Sequence, residues 1–223
     1  MAPLGAAALD ERLPGGGLAT TGLHEILPAR NEWDDGAASG FALALLGRLT
    51  AQREGTILWA ARQADLYAPA LAGFAVAADR LLLARTESDG GTLWALEEGL
   101  RCPDLAAVVG EIGDFDPTAA RRLQLAAETI GRPCLLLQRQ RLASRRASTA
   151  SPALTRWRVE AQAGNRRWPE SLQRDLVGNP VWRVELLRCR GGRPAVFEVE
   201  WDHATSAFAL AAELCDSASA AFG

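Results

Sequence analysis

Arginine and tryptophan alternate through one stretch of this chain in a pattern suited to gripping a polyanion. Arg139, Arg141, Arg145 and Arg146 lie close together, Arg156 and Arg158 flank Trp157, and Arg166 and Arg167 precede Trp168. Guanidinium groups neutralise phosphates and indole faces stack on bases, which is how single-stranded nucleic acid is held without sequence preference. Arg139, Arg141, Arg145, Arg146, Arg156, Arg166 and Arg167 are therefore the candidate nucleic-acid contacts. A solvated surface surrounding core tryptophans fits the same residues equally well. Charge segregation favours the first alternative: residues 132–193 carry 14 Arg against 4 acids, while residues 1–131 carry 10 Arg against 18 acids and residues 194–223 carry 5 acids and no Arg. A basic block between two acidic ones speaks to partners rather than to fold.

Other chemistries find little support. All 24 basic residues are arginine, so there is no lysine nucleophile, no Schiff base and no phosphate-loop lysine. Cys102, Cys134, Cys189 and Cys215 are scattered, without a C-x-x-C pair or histidines at ligand spacing, and read as buried or partly buried thiols. His24 falls in a strand-like run and reads as structural. Asp202-His203 has no G-x-S-x-G nucleophile to serve. Glu97 and Glu98 are adjacent on a helix and point about 100° apart, so they make no acid/base pair. No catalytic residue, cofactor or metal is expected. No apolar run reaches the roughly 18 residues of a membrane span, and no Lys or Arg precedes the apolar N-terminal residues, so the expectation is a cytoplasmic protein without membrane contact.

Residues 20–138 alternate strand-like and helix-like segments. Strands are expected at Leu23–Leu27, Thr56–Ala61, Arg80–Arg85, Leu105–Ile112 and Cys134–Leu137. Helices are expected at Gly36–Arg53 (Ala38, Phe41, Leu45 and Leu49 on one face), at Ala64–Ala78 with Pro69 breaking or starting it, and at Gly91–Leu100. A further helix opens at Asp116-Pro117 and buries Ala119, Leu123, Ala126 and Ile130. Fully apolar strands between helices imply a mostly parallel sheet covered on both faces. Beyond it, Gln138–Ser151 reads as a mobile basic loop, with bounds near 138–153. Strand-like runs follow at Leu154–Ala161, Val181–Cys189 and Ala195–Trp201, the last two joined by an Arg190-Gly191-Gly192-Arg193 hairpin. Residues 164–180 look like a long irregular connection, and Ala204–Phe222 is helix-compatible. The expected organisation is one domain over residues 1–202 and a helical tail over residues 203–223.

Leu9-Asp10, the glycine-rich turn Pro14-Gly15-Gly16-Gly17, and Gly22-Leu23-His24-Glu25-Ile26 entering a strand resemble the start of a RecA-like core. In that family the strand leads into G-x-x-x-x-G-K-[ST], whose backbone amides cradle phosphates. Here the stretch runs from Pro28 to Phe41 and lacks both the lysine and the magnesium-holding hydroxyl. Glu32, Asp34 and Asp35 add negative charge there, and Asp34 and Asp35 are expected to act as helix N-terminal acids. Where the family has a catalytic glutamate the chain has Ala61-Arg62-Gln63, and the strand that should end in a magnesium-holding aspartate ends in Val108-Val109-Gly110-Glu111.

Further blocks narrow the resemblance. Thr56–Ala61 with Leu66-Tyr67-Ala68-Pro69, Leu93–Glu98, Arg121–Glu128, Arg156–Val159 and Trp182–Gly192 are similar to the ImuA family of bacterial damage-inducible mutagenesis proteins, over most of residues 9–202. The resemblance implies an α/β fold with a RecA-like core, a mostly parallel sheet flanked by helices and antiparallel strands near the C-terminus. It also implies a non-catalytic accessory in DNA damage tolerance that recruits or regulates an error-prone translesion polymerase complex. The implied partners are an ImuB-type Y-family polymerase relative, bound through the tail after Trp201, and an error-prone C-family DNA polymerase, with RecA and single-stranded DNA as further candidates. Two alternatives stay open: a divergent DNA-dependent ATPase using Arg30 or Arg62 in place of lysine, and an inhibitor that docks on RecA without touching DNA.

Overall fold

A computed structural model describes residues 1–63, 65–113, 117–139, 151–164 and 178–211. The first described helix, α1 (Ala7–Asp10), belongs to an N-terminal arm whose Leu4, Leu9, Leu13 and Leu18 are buried. The sheet then opens with β1 (Gly22–Pro28), followed by α2 (Asp35–Thr50) and β2 (Thr56–Ala61). β3 (Leu81–Arg85), α3 (Asp89–Arg101), β4 (Leu105–Ile112), α4 (Pro117–Ile130) and β5 (Pro133–Gln138) continue it. β6 (Thr155–Gln162), β7 (Val181–Cys189), β8 (Ala195–Asp202) and β9 (Ala207–Leu210) complete it. Among the described residues the strand order is β3-β2-β4-β5-β1-β6-β7-β8-β9. β1 to β6 run parallel, and β6 to β9 pair antiparallel in sequence.

Strand alternation divides two cores. Ile57, Trp59, Val109, Leu135 and Leu137 face α2, in a core that also holds Trp157, Trp182, Trp201 and Phe208. Leu58, Ala60, Val108, Cys134 and Leu136 face the other way, onto α3 and α4. α2 is buried over most of its circumference, which explains why it is apolar nearly all round. Gly47 permits that: a Cβ there would lie 2.1 Å from the Phe74 carbonyl oxygen. α3 starts on Ser88, whose hydroxyl accepts from the Gly91 amide at 3.1 Å. α4 ends at Gly131 in the left-handed region, where the Gly131 and Arg132 amides both donate to the Ala127 carbonyl.

Several elements depart from the sequence expectation. Ala64–Ala78 is no α-helix: Ala68–Phe74 is a 3-10 helix with Pro69 in its first turn. β3 is an edge strand, with Leu82 and Leu83 exposed, because it stands at the end of the sheet and only β2 pairs with it. α4 buries Ala120, Leu123, Gln124 and Ala127, not the face through Ala119, Ala126 and Ile130. Gln124 sets that rotation, because its side chain accepts the Leu23 amide at 2.7 Å. Residues 207–210, expected within a helical tail, form β9, where Phe208 packs on Trp201 with centroids 5.0 Å apart. Alanine-rich composition is overridden there by an unpaired β8 edge and an aromatic pocket. The remainder of the expected tail, 212–223, lies outside the described residues. No helix among the described residues is long and apolar enough to cross a membrane.

Candidate functional site

In an open parallel sheet, ligands bind beyond the carboxyl ends of the strands. Four elements deliver charged residues to that rim here: Arg30 and Asp35 around the turn from β1 into α2, Asp65 after β2, Glu111 near the end of β4, and Arg139 just past β5.

The turn after β1 folds back on itself. Asp34 is fully buried, and its carboxylate accepts from the Arg30 amide (2.9 Å), from Arg30 Nε (3.0 Å) and Nη2 (3.2 Å), and from the Ala161 amide of β6 (2.9 Å). Glu160 stands 3.6 Å from Arg30 Nε. Asp34 was expected to serve the α2 N-terminus, but its side chain makes no cap hydrogen bond and instead straps the turn to β6. Arg30, one of the two arginines considered as stand-ins for the missing lysine, is committed to this strap. Burial alone raises the Asp34 carboxyl, but the hydrogen bonds from Arg30 and Ala161 outweigh it and hold the group below its ordinary 3.8. Its stabilising contribution is therefore full above that value and is lost as pH falls through the lower folded one. Asp34→Ala is expected to cost about 1–3 kcal/mol, because it orphans buried amides; an unchanged urea midpoint would remove the strap from the account. The Glu32 side chain lies outside what is described.

Arg139 is the centre of the rim. Its Nε contacts Glu111 Oε2 closely, its Nη2 lies 3.1 Å from Asp65 Oδ1, and its Nη1 lies 3.8 Å from Asp35 Oδ2. Glu111 also accepts from Trp59 Nε1 at 2.7 Å. Burial raises the Glu111 carboxyl, opposed by Arg139 and the Trp59 hydrogen bond. Burial disfavours the charge on Arg139, and Glu111, Asp65 and Asp35 more than offset it. One guanidinium thus occupies the carboxylates that three separate elements aim at the rim.

The candidate nucleic-acid contacts separate accordingly. Arg139 is engaged by these carboxylates and is not a loop cation free to meet phosphate. Arg156 is buried, with Nε 3.3 Å from Glu25 Oε2 directly across the β1–β6 register, so its side chain does not face solvent. Arg141, Arg145, Arg146, Arg166 and Arg167 lie outside the described residues. Trp157 is fully buried, and Arg158 is exposed and paired with Glu185 at 2.9 Å. Sequence reasoning passed over the Glu25–Arg156 pair, although an acid inside an otherwise apolar strand signals a buried partner. His24 is structural: Nε2 bonds the Ala19 carbonyl at 2.9 Å, Nδ1 bonds the Thr155 hydroxyl at 2.8 Å, and burial lowers its pKa to about 4. Among the described residues Cys102, Cys134 and Cys189 are free, and burial pushes the Cys134 thiol up. An open groove of about 640 Å³ near Arg53 and Arg80 lies at the opposite end of the sheet. Both arginines there are spent on backbone carbonyls.

The sheet order and helix layers match a crystal structure of the RadB recombinase with a TM-score of 0.61, covering 94% of this chain and 99% of that one at 14% identity. The fold is RecA-like. No protein-family profile matches the chain. The Protein ImuA of Caulobacter vibrioides, from strain NA1000/CB15N, is 38% identical over 221 residues, spanning 95% of this chain and 89% of that protein. The same values hold for the protein of strain ATCC 19089/CB 15. The chain belongs to the ImuA family. For an ImuA-family chain the rim is the informative region, because that is where a RecA-like sheet presents its ligand edge.

Proposed function

We propose that this protein is a non-catalytic accessory factor of DNA damage tolerance. It holds an error-prone translesion polymerase complex, through an ImuB-type polymerase relative, near single-stranded DNA. One observation carries the non-catalytic part: the Arg139 guanidinium fills the carboxylate cluster of Glu111, Asp65 and Asp35 at the rim. A nucleoside triphosphate entering there meets no lysine and a turn already closed by Arg30 and Asp34. Phosphoryl transfer is almost wholly positioning and electrostatic stabilisation by such groups, so their absence leaves little catalysis to perform. Family membership supports the damage-tolerance setting, and the basic block of residues 132–193 supports DNA contact.

The test pairs turnover with capture. ATP hydrolysis with single-stranded DNA present is expected to match the protein-free blank, and the full chain is expected to co-purify with the polymerase relative. Removing residues 212–223, which spares β9, is expected to weaken that capture. Hydrolysis that disappears in Arg30→Ala or Arg62→Ala would overturn the proposal in favour of a divergent ATPase.

A further inference from the structure

We propose that β3 is a self-association edge, on which a second copy of this chain lays its own β3 antiparallel to make one continuous sheet. The sheet has two edges, and they are finished differently. At the far edge the N-terminal arm lies along β9: the Phe208 amide donates to the Leu4 carbonyl at 2.9 Å. Arg48 clamps the arm there, donating from Nε to the Pro3 carbonyl at 2.8 Å and from Nη1 to the Ser206 carbonyl at 3.2 Å. β3 has no such cover among the described residues. It carries neither proline nor bulge, the usual guards of a bare edge, and its one charge, Arg85, stands at its end. Leu82 is 54% exposed and Leu83 is 40% exposed, one on each face of the sheet. Leu82 aligns with Leu58 on the α3 side, and Leu83 with Trp59 on the α2 side.

Backbone alternation fixes which groups are left over. The Thr86 amide donates to the Ala61 carbonyl, so Ala84 and Leu82 also turn their amides and carbonyls to β2. Those of Leu81, Leu83 and Arg85 point outward, where a further strand would pair them. An antiparallel copy of β3 centred on Leu83 meets all of them. Leu81 then faces the partner's Arg85, Leu83 faces the partner's Leu83, and Arg85 faces the partner's Leu81, each pair exchanging two hydrogen bonds. Side chains agree with that register. On the α3 face Leu82 lies against the partner's Ala84, large against small, and on the α2 face the two Leu83 side chains meet. The Arg85 stem covers the partner's Leu81, and the two Arg85 stand at opposite ends of the ribbon, so no like charges face each other. An unrelated strand would satisfy the same amides; the copy is preferred because this strand answers its own pattern about one point, as a two-fold contact requires. The two rims fall at opposite ends of the doubled sheet, because the strands of one copy run against those of the other, and the contact covers neither.

The test is sedimentation velocity on the full chain. The strip is short, so the contact is of the weak class, and a monomer–dimer equilibrium with a Kd on the order of 10 μM is expected, measured at concentrations that bracket that value. Leu83→Glu and Leu83→Arg each place like charges on the two-fold axis, and each is expected to weaken the dimer roughly 10-fold or more. An equimolar mixture of the two variants is expected to restore a one-to-one dimer, because only a residue that meets its own copy gains an opposite charge from mixing. That recovery also shows that both variants fold. A wild type that stays monomeric at every concentration overturns the proposal. So does growth into larger oligomers, which a head-to-tail contact would give. Dimerisation that survives both substitutions, or is lost in both and not recovered on mixing although both keep the wild-type circular dichroism, overturns it as well.

Discussion

Replacing Arg156 by alanine is expected to destabilise the protein by about 3–5 kcal/mol, because it leaves the Glu25 carboxylate buried without its cation. Arg156 and Glu25 side chains are 7% and 1% exposed, and the Ser151 hydroxyl also donates to the Glu25 carboxylate at 2.6 Å. Arg188, opposite Arg156 in the β6–β7 register, acts on Glu25 at longer range. Burial holds the Glu25 carboxyl above its ordinary 4.5 even with the arginines present. A carboxyl raised on folding gives its full contribution below the ordinary value and loses it as pH rises through the folded one. Removing Arg156 raises Glu25 further, so the deficit of Arg156→Ala should grow with rising pH and shrink on acidification. Urea denaturation at several pH values measures this. Glu25→Leu/Arg156→Met is expected to recover most of the stability, since an apolar pair of similar volume replaces both desolvation costs. If Arg156→Ala keeps the wild-type midpoint and loses only DNA affinity, the buried pair is not what holds that side chain.

Arg156 also shows where sequence reading stops. The strands β2, β4 and β5 were legible because their buried runs are mostly apolar and bounded by glycine, proline or charge, and β7 because its apolar residues are interleaved with charged ones. The parallel sheet and the hairpin joining β7 to β8 followed from the sequence pattern, and the antiparallel strands near the C-terminus were what the family resemblance implied. What failed depended on neighbours that local sequence does not name. β3 reads like a buried strand, and only its place at the sheet edge exposes Leu82 and Leu83. β9 lies in an alanine-rich run, and the β8 edge and Trp201 make it a strand. At the site, the missing lysine was plain, yet the closure of the rim by Arg139 was not. Its three carboxylates come from positions 35, 65 and 111, and only the strand order brings them to one guanidinium.

The Arg156-Trp157-Arg158 triplet makes the last case, because strand alternation assigns its members to opposite faces. Arg156 turns to Glu25, Arg158 to Glu185, and Trp157 to the α2 core. Trp157 is fully buried, packs on Phe41 at 5.6 Å, and donates from Nε1 to the Thr155 hydroxyl at 2.8 Å. Thr155 in turn bonds His24 Nδ1, so the indole closes a buried polar chain that ends on the Ala19 carbonyl. Trp157→Ala is expected to cost about 3–5 kcal/mol from lost burial and the cavity left behind. Trp157→Phe, which keeps a ring but not the donor, is expected to cost about 1–3 kcal/mol by leaving the Thr155–His24 chain short of one hydrogen bond. Denaturant midpoints rank the two variants. A tryptophan that stacked on bases would show the reverse: an alanine variant as stable as the wild type, with weakened affinity for single-stranded DNA under native conditions. An indole that fills the core, as Trp157 does, therefore declares itself in stability and not in binding.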